Sequence, residues 1–137
     1  MTKKVIRPGQ DDKIELPIRG RSVSRCYVDS AFGVQFFEGE EEVTIRIECP
    51  FRLTYSGTEW VLSPERLVEL GRALVIMWKT VKEATAFQDG SLELIFDDGI
   101  RLSVTPDPDY EAWEIVAPNG FRVVCMPGGG LAVWAAQ

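Results

Sequence analysis

Short runs in which apolar and polar residues alternate, each ended by a glycine-containing turn, constrain this chain more than any other feature. Val34 and Phe36 flank Gln35, and Val43, Ile45 and Ile47 alternate with Thr44 and Arg46. Leu92, Leu94 and Phe96 alternate in turn, as do Ile100, Leu102 and Val104 around Arg101 and Ser103. A strand repeats its side-chain direction every two residues, so such runs place one face on a core and the other toward water. Asp98-Gly99 tolerates positive φ and closes a tight two-residue hairpin between the last two runs. Glu38-Gly39 holds the equivalent place in the first half, and Asp89-Gly90 precedes Leu92. The expected fold class is α+β, mainly antiparallel β with at least one helix.

That helix is expected at about residues 63–72. Ser63 can cap it, Pro64 suits the first helical position, and Glu65 complements the positive end of the dipole. Leu67, Leu70 and Leu74 follow at helical spacing, and Gly71 ends or weakens it. Ala73 to Trp78 is either a continued helix or a strand, and its β-branched content favours a strand. Farther on, Thr105-Pro-Asp-Pro-Asp109 reads as a loop, Tyr110–Val116 as a strand, and Pro118-Asn119-Gly120 as a turn. Phe121–Cys125 then returns, Gly128–Gly130 reverses the chain, and Leu131–Trp134 closes it.

The two halves resemble one another. Leu16-Pro-Ile-Arg-Gly20-Arg21 is echoed by Leu67-Val-Glu-Leu-Gly71-Arg72, and Phe36-Phe-Glu-Gly39 by Phe96-Asp-Asp-Gly99. The pattern suggests an internal duplication and two related β-rich halves about a shared core. The alternative is two independent hairpins. The chain has 137 residues. At this length one domain can bury roughly 68% of its unfolded surface, which is enough for a core without staples. No linker divides it. Residues 1–12 are polar, contain Pro8 and Gly9, and are expected to be a flexible arm before a single β-rich domain at 13–137. No apolar segment follows Lys3 and Lys4, so no signal peptide is read there, and no apolar run approaches a membrane span.

Charge and residue supply narrow the function. The formal net charge is −6, which disfavours nucleic acid and suits a basic protein partner. Arg19, Arg21 and Arg25 read as a solvated strand face. Histidine is absent, which excludes Ser-His-Asp and Cys-His nucleophiles. Neither glycine-rich phosphate fingerprint occurs. Cys26, Cys49 and Cys125 lack zinc-ligand spacing and read as buried thiols of a reducing cytoplasm. No cofactor and no metal is expected. Asp107-x-Asp109-x-Glu111 offers calcium-type oxygens but lacks the glycine and distal glutamate of an EF-hand loop.

Two clusters remain as binding candidates. Glu38, Glu40, Glu41 and Glu42 form an acidic knob that would steer a basic partner. Asp107, Asp109, Tyr110, Glu111, Trp113 and Glu114 combine rings with carboxylates, with Trp113 as the best anchor. Trp60, Trp78 and Trp134 also lie in or beside apolar runs, and most of the four tryptophans are expected in the core.

The stretch Gly90-Ser-Leu-Glu-Leu-Ile-Phe-Asp-Asp-Gly99, then Tyr110-Glu-Ala-Trp-Glu114, then Pro127-Gly-Gly and Leu131-Ala-Val-Trp134, resembles an uncharacterised family of small bacterial proteins. The resemblance covers about the last fifty residues and implies a domain of unknown function. Such small acidic proteins include immunity partners of bacterial toxins. No catalytic residue carries over. Three readings follow: a non-enzymatic protein-binding module of immunity type, a small-molecule-binding domain with an aromatic pocket between the halves, or a carboxylate-dependent hydrolase. A homodimer is a further expected association, since β-rich chains have edges to cover.

Overall fold

A computed structural model describes residues 3–9 and 13–136. The described chain is mostly antiparallel β with one short α-helix. Its strands are Lys3–Ile6 (β1), Lys13–Glu15 (β2), Arg25–Val28 (β3), Phe32–Glu38 (β4), Glu41–Ile47 (β5), Phe51–Tyr55 (β6), Thr58–Leu62 (β7), Val81–Phe87 (β8), Leu92–Phe96 (β9), Arg101–Val104 (β10), Trp113–Val116 (β11), Arg122–Cys125 (β12) and Leu131–Trp134 (β13). They form two sheets, ordered β1-β13-β12-β11-β5-β4-β3 and β2-β8-β9-β10-β6-β7. The inward faces supply one continuous core that includes Val34, Phe36, Ile45, Leu53, Leu94, Phe96, Leu102 and Ile115. Phe32 of the first sheet stacks on Phe51 of the second, ring centroids 5.5 Å apart.

The halves are interleaved rather than packed side by side. In the first, β3-β4-β5 form a meander in one sheet, and β6-β7 cross to the other. In the second, β8-β9-β10 form a meander in that other sheet, and β11-β12 cross back. Each crossing hairpin docks on the last strand of the opposite meander: β6 on β10, and β11 on β5. Neither half has a sheet to itself.

The turns explain the register. Asp97-Asp98-Gly99 is a three-residue loop, not the expected two-residue one. Phe96 and Ile100 close it, and Gly99 sits at φ +88. Residues 88–90, 118–120 and 127–129 repeat the geometry, each with glycine at positive φ in the third place. A type I turn followed by a left-handed residue supplies the twist a hairpin needs, and glycine adopts that conformation without a Cβ penalty.

Four local expectations are corrected. The helix does not span 63–72. Ser63 Oγ accepts the Glu65 N–H at 3.2 Å, and the Arg66 N–H bonds the Ser63 carbonyl. The hydroxyl thus closes a separate turn, and α-helix begins only at Leu67–Leu70 (α1). Ala73–Trp78 is not a strand. A 3-10 segment continues over Gly71–Ile76, since Leu70, Ala73 and Ile76 are buried at a period of three. The strand expected at Tyr110 starts at Trp113, because Asp107 Oδ1 accepts the N–H groups of Asp109 and Tyr110 and holds them in a turn. Finally, within the expected arm 1–12, Lys3–Ile6 pair with β13 and bury Ile6. That edge needed covering more than the polar composition suggested. The rest of that arm, apart from residues 7–9, lies outside the described residues.

Among the described residues, no helix is long and apolar enough to cross a membrane.

Candidate functional site

The acidic knob lies where the hairpin β4–β5 turns. Gly39 takes φ +65 at its first turn position, which lets the strands reverse within two residues. Three of its four carboxylates are engaged internally. Glu38 pairs with Arg21 Nε at 2.8 Å, and Glu41 lies 3.9 Å from the same guanidinium. Glu42 accepts from Gln35 Nε2, and from the Thr44 hydroxyl at 3.1 Å. Glu40 is exposed at the tip. The knob is thus partly neutralised by its own scaffold.

The segment 107–114 does not present its residues on one face. Asp109, Tyr110 and Glu111 are exposed, and Asp107 is half-buried with its carboxylate holding the local turn. Glu114 points toward Arg122 on the neighbouring strand, 2.7 Å away. Glu48, Glu111, Trp113, Glu114 and Arg122 line a cleft of about 80 Å³. Small-molecule sites run from roughly 300 Å³ upward, so this cleft suits water rather than a sugar or nucleotide.

Trp113 itself is a correction. It is 1% exposed, and its indole Nε1 donates to the Gly90 carbonyl at 2.8 Å. It is a core residue tying the β8–β9 turn to β11, not a surface anchor. The period-two pattern across Trp113 and Ile115 already placed both on one face; the structure makes that face the inner one. Trp78, by contrast, is 72% exposed.

Core side chains such as Phe36, Leu53, Phe96 and Ile115 pack between the sheets. A cleft of about 420 Å³ lies on the second sheet, lined by residues that include Phe87, Gln88, Asp89, Glu93, Ser103 and Thr105, without a tryptophan or tyrosine. Burial raises the three thiols, each to about 11. For Cys49 and Cys125 nearby carboxylates add to the rise. Such thiols are poor nucleophiles at neutral pH.

A surface absent from the sequence reading emerges between β7 and β8. Nine large apolar side chains are exposed among the described residues, and four of them fall within 67–78: Leu67, Val68, Leu74 and Trp78. Val68 is 90% exposed. Leu70, Ala73 and Ile76 anchor the segment by pointing inward. Beside it, the Arg72 guanidinium sits 3.7 Å above the Trp60 ring, a close cation–π contact.

The Trp78 backbone is held by hydrogen bonds on both sides. Its N–H donates to the Val23 carbonyl at 3.0 Å, and the Val23 N–H donates to the Lys79 carbonyl at 3.0 Å. Lys79 Nζ is held by Asp98 at 2.8 Å, which keeps the Asp98 carboxyl below its ordinary range. Between these ties the Trp78 backbone is left-handed, φ +66. That conformation strains a bulky L-residue, and such strain persists only where surrounding bonds over-determine it. The sequence signal was present in Leu67, Val68, Leu74 and Trp78, but helical spacing alone did not separate the inward from the outward members.

No curated protein matches this chain, and no solved structure does. A family model described as Family of unknown function (DUF6188) matches residues 14–135. With nearly the whole described fold inside that match, from β2 to β13, the chain belongs to this family of unknown function.

Proposed function

We propose that this protein is a non-enzymatic protein-binding module whose recognition surface is the segment 66–78 together with Trp60. The observation that carries this reading is Trp78, exposed on a left-handed backbone that hydrogen bonds to Val23 hold, in a segment that also exposes Leu67, Val68 and Leu74. Contiguous exposed apolar surface marks interaction sites, and tryptophan and arginine dominate binding energy at such sites. Glu40 and its neighbours on the knob would add steering toward a basic region of a partner. An immunity-type role, implied by the family resemblance, is one instance of this reading, and a reducing cytoplasm suits its three thiols. The twice-used pattern of meander and crossing hairpin supports an origin by internal duplication.

The test is capture from an extract of the native host by tagged wild type and by a Leu74→Glu/Trp78→Ala variant, with a charge-reversed Glu38/Glu40/Glu41/Glu42 variant alongside. The expected result is a stoichiometric partner held by wild type and lost with the apolar variant. Equal capture by wild type and that variant overturns the surface.

A further inference from the structure

We propose that the cleft on the outer face of the second sheet binds a small hydroxylated amine of the amino-sugar class. The cleft shares no residue with the segment 66–78, so the proposal stands apart from the reading above. Its volume of about 420 Å³ falls within the range of roughly 300–1,000 Å³ that small-molecule sites occupy.

Strand alternation builds the cleft. Ala86, Leu92, Leu102 and Val104 are buried, so their neighbours Phe87, Glu93 and Ser103 stand on the outward face. The register sets Glu93 directly opposite Ser103. Gln88 and Asp89, from the β8–β9 turn, also line the cleft. That turn is tied down by other elements. The Asp89 carbonyl accepts the Gly130 N–H at 3.0 Å, and the Gly90 carbonyl accepts the Trp113 indole at 2.8 Å. A site held in place before binding loses little freedom when a ligand enters.

Charge selects a cation. Among the described residues, Asp89 and Glu93 are the charged members of the lining, and no lysine or arginine joins them. Arg101 Nε lies 3.8 Å from Glu93 Oε2 but outside the lining. Arg52 opposes Ser103 from β6 and is paired with Glu59. One Asp89 oxygen accepts the Ser91 N–H at 2.8 Å, which leaves the other to a ligand. An ammonium group meets two carboxylates here, and an anionic ligand is repelled.

The rest of the lining asks for hydroxyls. The side-chain hydroxyls of Ser91, Ser103 and Thr105, all lining the cleft, form no hydrogen bond among the described residues. Gln88 Oε1 is enclosed without a donor. A hydroxyl both donates and accepts, so these groups can pair with the hydroxyls of a sugar ring, whereas a polyamine would leave most of them unpaired. Half-buried Phe87 adds an apolar wall for the C–H side of that ring.

Titration of the full chain with glucosamine, followed by proton–nitrogen correlation NMR, tests this. The expected result is saturable shifts at the amides of Ser91, Glu93 and Ser103, with a Kd of about 1 mM or below. N-acetylglucosamine, which lacks the charge, and glucose, which lacks the amine, should each bind about tenfold more weakly or worse. Glu93→Gln should weaken glucosamine by about tenfold with the melting temperature little changed, because Glu93 stands on the outward face. Ser103→Phe, which fills the cleft, should abolish binding. Absence of saturable shifts at these amides up to about 100 mM glucosamine overturns the proposal. So does binding indifferent to both Glu93→Gln and Ser103→Phe, or glucose binding as tightly as glucosamine. Spermidine binding as tightly as glucosamine overturns the amino-sugar assignment and makes the cleft a general amine site.

Discussion

The Trp113 indole donates its Nε1–H to the Gly90 carbonyl at 2.8 Å, joining β11 of one sheet to the β8–β9 turn of the other. The contact is buried, and the turn has little room to move. A Cβ on Gly90 would lie 3.0 Å from Pro106 and 3.1 Å from Cys125 Sγ. Trp113→Phe keeps most of the ring but leaves the Gly90 carbonyl without its donor. We expect a loss of about 1–3 kcal/mol, and about 3–5 kcal/mol for Trp113→Ala, where a cavity is added. Urea unfolding measures both. Equal losses would show that the hydrogen bond, not the ring volume, dominates.

Trp78→Gly should raise stability. Removing a bulky side chain from a left-handed backbone relieves roughly 1 kcal/mol or more of strain, and little buried area is lost with it. The same change should remove the binding attributed to the surface. Thermal unfolding and capture from an extract of the native host read the two. A destabilised Trp78→Gly would mean that the ring contributes more to the monomer than its exposure implies.

Gly33 opposes Tyr27 across β3 and β4, and the Tyr27 ring lies over it. A Cβ on Gly33 would fall 2.1 Å from Tyr27 Cε1. The ring would have to swing away, and with it the Tyr27 hydroxyl that accepts from Arg46 at 3.1 Å. Gly33→Ala should therefore cost about 1–2 kcal/mol. In a Tyr27→Ala background that cost should largely vanish, which a double-mutant cycle in urea will show.

Acid sensitivity should trace partly to Asp29. Arg46 donates to both its oxygens, at 2.9 and 3.2 Å, and the Ala31 N–H adds a third bond. These bonds, the Arg46 ones first, hold the Asp29 carboxyl below its ordinary range. A carboxyl lowered by folding contributes stability above its unfolded value of about 3.9, and that contribution disappears as pH falls through the folded value. Asp29→Asn should thus be less stable than wild type at neutral pH, and the gap should close below about pH 4. A gap that persists at pH 2 would assign the effect to lost hydrogen bonds rather than charge.

The thiols should resist alkylation. With values of about 11 against an unfolded reference near 8.5, the native thiolate fraction at pH 7.5 falls by roughly two orders of magnitude, before burial slows access further. Iodoacetamide labelling followed by mass spectrometry should therefore report unfolding, with Cys26, the most accessible of the three, reacting first. Rapid labelling of native Cys49 or Cys125 would contradict the burial.

What was legible in the sequence was what neighbours along the chain decide. Alternation at Val43–Ile47 and Leu92–Phe96 gave strands because a pleat repeats every two residues, and the glycines at 39 and 99 gave reversals because only they tolerate the turn backbone. The binding candidates were less legible. The same alternation that made Trp113 part of a strand left open which face was inside, and the charges of Glu38, Glu41 and Glu42 did not reveal that Arg21, Gln35 and Thr44 would engage them.

By itself, then, the sequence determined a mainly antiparallel β chain with one short helical segment, since pattern and turn chemistry act over a few residues. Only the tertiary structure decided that β6 would join β10 and β11 would join β5, that Lys3–Ile6 would cover an edge, and that Trp113 would be buried while Trp78 stood in water. Those outcomes depend on contacts between residues far apart in the chain. A side chain's neighbours in space, not its neighbours in sequence, set whether burying it gains free energy.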